Sequence, residues 1–133
     1  MADLASLARS PVERDDRREI ELVGDPEAPT RIAKQLAQRY RGLLWIGLDD
    51  RTAWRTVARV ALDSIPKLRR AVIEALADGT ALTTREVAGV VDHPKTTTER
   101  SLEDLDAHGV VDSHGDEKGQ AFTWSLAPQA RGA

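Results

Sequence analysis

The chain contains no cysteine, which excludes a disulfide framework and any zinc site built on thiolates, and is compatible with a reducing cytoplasm. No apolar run approaches the roughly 20 residues that span a bilayer. The opening stretch MADLASLARSPVERDD lacks the apolar core of a signal peptide, so a soluble cytoplasmic protein with no membrane partner is the expectation. Three histidines, His93, His108 and His114, are spaced by 15 and 6 residues. That spacing matches no metal-ligand motif, and they read as turn residues. There is no Gly-x-x-x-x-Gly-Lys-Ser/Thr loop, no nucleophile placed with a base and no paired-acid motif. An enzyme, a cofactor and a small-molecule substrate are therefore not expected. At 133 residues the chain can bury a modest core and is too short for most two-domain enzymes.

Charge is present in quantity but unevenly placed. The net charge is -3, which argues against a protein that coats nucleic acid without specificity. Residues 1–28 sum to -4, residues 29–63 to +4 and residues 64–133 to -3. The middle third is the basic part.

Residues 1–28 are charged and poor in large apolar groups, and weak order is expected there apart from a short extended piece at Glu19–Val23. From Pro29, Ile32, Ala33, Leu36, Ala37, Tyr40, Leu43 and Leu44 recur at helical spacing until Gly47. Asp49 or Asp50 can cap a second helix by accepting from its free amides. That helix carries Trp54, Val57, Ala58, Ala61 and Ile65 on an apolar face, and Arg51, Arg55 and Arg59 as a cationic stripe on another. A solvated face is the plain reading of the stripe, and phosphate contact is the sharper one. Trp54 and Trp124 fit core positions, whereas Trp45, beside Ile46, suits a helix or subunit interface. Residues 29–65 thus form a basic two-helix segment.

Pro66 opens a third helix with Leu68, Val72, Ala75 and Leu76 inward, and Asp78-Gly79 ends it. Thr83 and Glu86 then make a capping box in which each accepts from the other's backbone amide. Val87, Ala88, Val90 and Val91 supply a short apolar face. Asp92-His93-Pro94 breaks the pattern and a further helix begins at Lys95, anchored by Leu102 and Leu105. Gly109 ends it, Val110-Val111 starts a strand, and Phe122, Trp124 and Leu126 alternate in a return strand after a polar glycine-rich loop. Residues 127–133 read as a frayed tail.

The stretches LTTREVAGVV, HPKTTTERSLEDLDAHGVV and AFTWSL give residues 66–126 a resemblance to the bacterial winged helix-turn-helix proteins. Two departures stand out: His93 where an apolar turn residue is usual, and Thr98 where a buried valine is common. Residues 26–66 also resemble, more weakly, the helical segment preceding a terminal winged helix in actinobacterial phage- or plasmid-type ATPases, whose nucleotide-binding loop is missing here. The resemblance implies a mainly α fold with a small β-hairpin wing, preceded by two helices. It implies binding of double-stranded DNA, as a transcriptional regulator or as the DNA-binding end of a replication or mobile-element protein, with a homodimer compatible.

A recognition helix reads base edges in the major groove and needs donors and acceptors on its outer side. With Leu102 and Leu105 inward, Thr96, Arg100 and Glu103 turn outward. Arg100 is the first candidate for base contact, because its planar fork matches the O6 and N7 acceptors of guanine, and Thr96 lies on the same stripe. Lys95 and Thr97 in the first turn, and Arg85 in the preceding helix, suit phosphate. Lys118 and Gln120 are the wing contacts, and Arg51, Arg55 and Arg59 the auxiliary ones. Glu99, Glu103, Asp104 and Asp106, with Asp116 and Glu117 in the wing, oppose DNA. The competing reading is a winged-helix module that docks a protein partner and binds no DNA.

Overall fold

A computed structural model describes residues 1–24, 29–115 and 121–131. Helix α1 (Ala2–Arg9) leads into an antiparallel hairpin, β1 (Val12–Arg14) and β2 (Ile20–Val23). Two longer helices follow, α2 (Pro29–Trp45) and α3 (Asp50–Asp63), then α4 (Lys67–Ala75) and the two-residue strand β3 (Leu82–Thr83). Helices α5 (Thr84–Val91) and α6 (Lys95–Ala107) precede strands β4 (Val111–His114) and β5 (Thr123–Leu126), and a single turn, α7 (Pro128–Arg131), ends the described chain. The sheet order is β3-β5-β4, all antiparallel, with Leu82 opposite Trp124 and Val111 opposite Leu126. Helix, strand, helix, helix and a two-stranded wing in this order are a winged helix-turn-helix fold, mainly helical and preceded by the α2–α3 pair. Among the described residues no helix is long and apolar enough to cross a membrane.

The core is where the sequence periodicity points. Val72, Leu76, Val87, Leu102, Leu105 and Val111 are buried at 1% exposure or less, drawn from α4 and its C-cap, α5, α6 and β4. Trp124 joins them from β5, and its indole Nε1 donates to the Thr84 hydroxyl at 2.9 Å, so the polar edge of the ring is satisfied inside. Thr98 takes the place of a buried aliphatic at 0% exposure. It does so without an orphan hydroxyl, because Oγ1 donates to the Pro94 carbonyl at 3.1 Å. Gly109 adopts φ 68°, the left-handed conformation that lets α6 end and the chain turn directly into β4.

Four expectations are corrected. Residues 1–24, for which weak order is expected, form a helix and a hairpin: Leu4, Ala5 and Ala8 are buried, and Leu4 and Ala8 belong to the main core. Three small or aliphatic residues at helical spacing suffice because α1 packs on α2, α3 and α4 at once. The tail is not frayed through 131. Ala127 donates its amide to the Val110 carbonyl at 3.0 Å, Arg131 Nε donates to the Leu126 carbonyl at 2.9 Å, and Ala130 is buried. Trp54, expected in the core, is 56% exposed and meets Tyr40 edge-to-face with centroids 6.2 Å apart. The ring is covered only in part, by Tyr40 of α2. Finally, one of the three histidines is not a turn residue: His114 sits in β4 with Nε2 at 2.8 Å from the Ser125 hydroxyl, while His108, in the turn that closes α6, is buried with Nε2 at 3.2 Å from the Pro11 carbonyl.

Candidate nucleic-acid interface

The capping box forms as its spacing requires. The Glu86 amide donates to Thr83 Oγ1 at 3.3 Å and the Thr83 amide donates to Glu86 Oε2 at 2.8 Å. The Thr83 hydroxyl also donates to Glu86 Oε2 at 2.8 Å, and the bonds that the carboxylate accepts, from the Thr83 amide first and its hydroxyl second, hold the Glu86 carboxyl below its ordinary pKa. Asp92 ends α5 in the left-handed region at φ 53°, a conformation that aspartate tolerates better than most residues. Pro94 precedes α6 and its carbonyl accepts from the amides of Thr97 and Thr98.

Along α6 the inward positions are Thr98, Ser101, Leu102 and Leu105, all buried. Positions two residues away from this line face outward at the usual helical step of about 100°. Thr96 and Arg100 are accordingly exposed, as are Lys95 and Thr97 in the first turn. Among the described residues the Arg100 guanidinium has no hydrogen-bond or ion-pair partner. Arg85, in the first turn of α5, is brought to the same cleft as Lys95. This opening of about 430 Å³ is lined by Thr83, Thr84, Arg85, Lys95, Glu99, Ala121 and Phe122, where the starts of α5 and α6 meet the approach to β5. Glu103, expected outward with them, keeps a side chain that is 41% exposed and has an ion-pair partner. Lys118 and Gln120 lie outside the described residues.

The acids of α6 have partners that nothing in the local sequence announces. Arg14, in β1, donates from Nη1 to Glu103 Oε2 at 3.0 Å and from Nη2 to Asp104 Oδ1 at 2.5 Å and to the Arg100 carbonyl at 3.2 Å. Arg69, in α4, reaches the other oxygen of Asp104 at 2.9 Å. It also donates to the carbonyls of Ala8 and Ser10 at 3.1 and 2.6 Å. Asp106 accepts from the Ser113 hydroxyl at 3.3 Å. Three of the four acids of α6 are thus held within the fold, and Glu99 shares its cleft with Arg85 and Lys95. Arg14 and Arg69 were missed because they lie 89 or 90 and 35 residues from the acids they meet. The hairpin brings Arg14 there, and the packing of α4 on α6 brings Arg69.

The arginine stripe is exposed at Arg51, Arg55 and Arg59. It belongs to a different layer, because α3 packs on α2 and α1 whereas α6 packs on α4, α5 and β4. The tip of the α2–α3 pair is apolar and open: Trp45 is 92% and Ile46 69% exposed. Among the described residues no group of three or more His, Asp or Glu side chains is arranged to hold a metal ion.

No family model matches the chain, and no curated protein matches it. Among solved structures, the chain is similar to the solution structure of a homodimeric winged helix-turn-helix DNA-binding domain from Mycobacterium bovis, a fragment of residues 1–100 described as a possible ArsR-family transcriptional regulator. The identity is 24%, the match covers 64% of this chain and 78% of that one, and the TM-score is 0.45. These comparisons lend no support to the likeness of residues 26–66 to phage- or plasmid-type ATPases.

Proposed function

We propose that the chain is a non-catalytic, cytoplasmic protein that binds double-stranded DNA in a sequence-specific manner, with α6 in the major groove, and acts in transcription regulation or as the DNA-binding end of a replication or mobile-element protein. The observation that carries this reading is the outer face of the first half of α6. Lys95, Thr96, Thr97 and Arg100 are all exposed there, and the acids of the second half are drawn aside by Arg14 and Arg69. Arg100 reads a base, preferably guanine, and Thr96 supports it on the same stripe. Lys95, Thr97 and Arg85 hold phosphate at the cleft where two helix starts converge, and Lys118 and Gln120 do so from the wing.

The two arms of charge have different roles in this reading. Arg51, Arg55 and Arg59 extend the phosphate contacts from the α3 layer and add affinity without sequence preference. Residues 29–65 serve as a basic helical segment attached to the DNA-reading unit at 66–126. The open tip at Trp45 and Ile46 is the surface on which a homodimer forms. Trp45→Ser combined with Ile46→Ser leaves the thermal melt unchanged and removes concentration-dependent sedimentation.

The deciding experiment is a titration against a random-sequence duplex pool with sequencing of the bound fraction, repeated across a salt series. A DNA reader loses affinity steeply as salt rises. Arg100→Ala is expected to weaken the selected duplex by about 1–3 kcal/mol and relax preference at one position, whereas Lys95→Ala weakens all duplexes alike and reduces the salt slope by about 1. Absence of duplex binding at low salt overturns the proposal and favours a protein-docking module.

A further inference from the structure

Arg100 and Glu103 stand three residues apart on one helix, a separation at which opposite charges ordinarily meet. They do not meet here. The Glu103 carboxylate is occupied by Arg14 at 3.0 Å, while the Arg100 guanidinium is unpartnered among the described residues. Arg14 also donates to the Arg100 backbone carbonyl at 3.2 Å, so one guanidinium holds the helix backbone at 100 and the carboxylate at 103 together. It engages the acid that would otherwise be open to Arg100. The Arg14 side chain is itself fixed: it is 19% exposed, and the nitrogen that holds Glu103 also donates to the Arg18 carbonyl at 2.8 Å. That bond ties it to the hairpin turn, where Asp15 Oδ1 accepts from the amides of Arg17 and Glu19. A residue far away in the sequence is thus locked over the second half of the proposed recognition helix.

We infer that Arg14 is a positioning residue for DNA recognition: it holds Glu103 away from Arg100 and so keeps the Arg100 guanidinium available to a base. This inference rests on the DNA-binding reading given above. Without Arg14, Glu103 is released to pair with Arg100 along the helix, and its charge is also left open toward the phosphates. Both effects act on binding without any contact between Arg14 and DNA. Asp104 responds differently, because Arg69 continues to hold it when Arg14 is gone.

The test uses the full chain and the best duplex from the random pool, followed by fluorescence anisotropy. Arg14→Gln is expected to weaken binding about tenfold, the scale of losing a well-made arginine contact to guanine. It also flattens the base preference at the position that Arg100→Ala flattens. Glu103→Gln alone leaves affinity within about threefold of wild type, since its acid is already neutralised. The double variant Arg14→Gln with Glu103→Gln recovers to within about threefold of wild type, because no acid remains at 103 to capture Arg100. Arg14→Lys, which keeps the charge and is the fallback where Arg14→Gln does not fold, lies between Arg14→Gln and wild type. A double variant as weak as Arg14→Gln overturns the inference and makes Arg14 a structural staple only. Unchanged binding in Arg14→Gln or Arg14→Lys, with Arg100→Ala still weakened, overturns the inference and leaves the DNA reading standing. A wild-type chain that binds no duplex at low salt overturns both.

Discussion

Asp104 is the carboxylate on which three separate segments converge, and its neutralisation is a direct test of how the N-terminal region is attached. One oxygen takes Arg14 of the hairpin at 2.5 Å and the other takes Arg69 of α4 at 2.9 Å. Arg69 in turn donates to the carbonyls of Ala8 and Ser10 at the end of α1. The three side chains are 18%, 19% and 13% exposed, so water screens the cluster only in part. Asp104→Asn keeps one acceptor oxygen and removes the charge, leaving two guanidinium groups facing each other. Each lost charge-assisted hydrogen bond is worth about 1.5–3 kcal/mol, and one-sided removal from a fully buried pair costs about 3–5 kcal/mol. Allowing for residual exposure and the retained acceptor, the loss is about 2–3 kcal/mol, near the lower end of that range. Glu103 has a single partner and is 41% exposed, and Glu103→Gln should cost less than about 1 kcal/mol. Urea unfolding followed by circular dichroism separates the two. For a chain of this size about 3–5 °C of melting temperature corresponds to each kcal/mol, so Asp104→Asn melts roughly 6–15 °C lower. Stability of Asp104→Asn within about 0.5 kcal/mol of wild type would refute the cluster as an attachment point. So would an equal loss in Glu103→Gln.

Other expectations follow from single residues. Ser101 is buried with its hydroxyl unpartnered among the described residues, so Ser101→Ala removes a desolvated polar group and improves helix propensity. A gain of about 0.5–1 kcal/mol in urea unfolding is expected, and a loss refutes the burial. Thr83→Ala removes the N-cap of α5 and should cost about 1 kcal/mol, whereas Thr83→Ser, which keeps the oxygen, stays close to wild type. Glu86 is held below the usual carboxylate range by the Thr83 amide and hydroxyl, and Asp49 by the side-chain and backbone hydrogen bonds of Thr52. Both remain ionised in the folded chain where the unfolded chain has begun to take up protons. Their contribution is complete above the ordinary carboxylate pKa of about 4 and is lost as pH falls through the lower folded value. Thermal melts from pH 6 to pH 3 should therefore fall more steeply in wild type than in the double variant Glu86→Gln with Asp49→Asn, and parallel curves would count against the caps.

The winged unit was legible because its signals are local. A capping box needs only Thr83 and Glu86, a restart needs only Pro94, and the inward line of α6 follows from the spacing of Leu102 and Leu105. The return strand could be read from the alternation of Trp124 and Leu126, although Phe122 on the same alternation falls before β5 and is 56% exposed. What failed was long-range. Leu4 and Ala8 are too few to predict a helix by themselves, and they become core residues only because α2, α3 and α4 provide surfaces for them. Trp54 shows the reverse error: the periodicity of α3 identifies its buried side at Val57, Ala61 and Ile65 but places Trp54 there in the stead of Ala53, which is the buried neighbour. In the candidate site, the exposed cations were visible as residue types on a helix face, whereas the partners of the acids were not.

That asymmetry bears on how charge should be counted in a chain of this kind. A net charge of -3 and four acids in α6 read against DNA when every charge is weighed equally. Affinity for a polyanion depends instead on the field within about a Debye length of the contact, roughly 10 Å at moderate salt. Around α6, Arg14 and Arg69, both outside the helix, offset Glu103 and Asp104. The N-terminal 24 residues carry more acid than base, yet through Arg14 they make α6 locally less acidic. Removing them would raise the net charge of the chain while exposing Glu103. The formal charge and the binding affinity should then move in opposite directions, a result that a description by overall charge cannot produce.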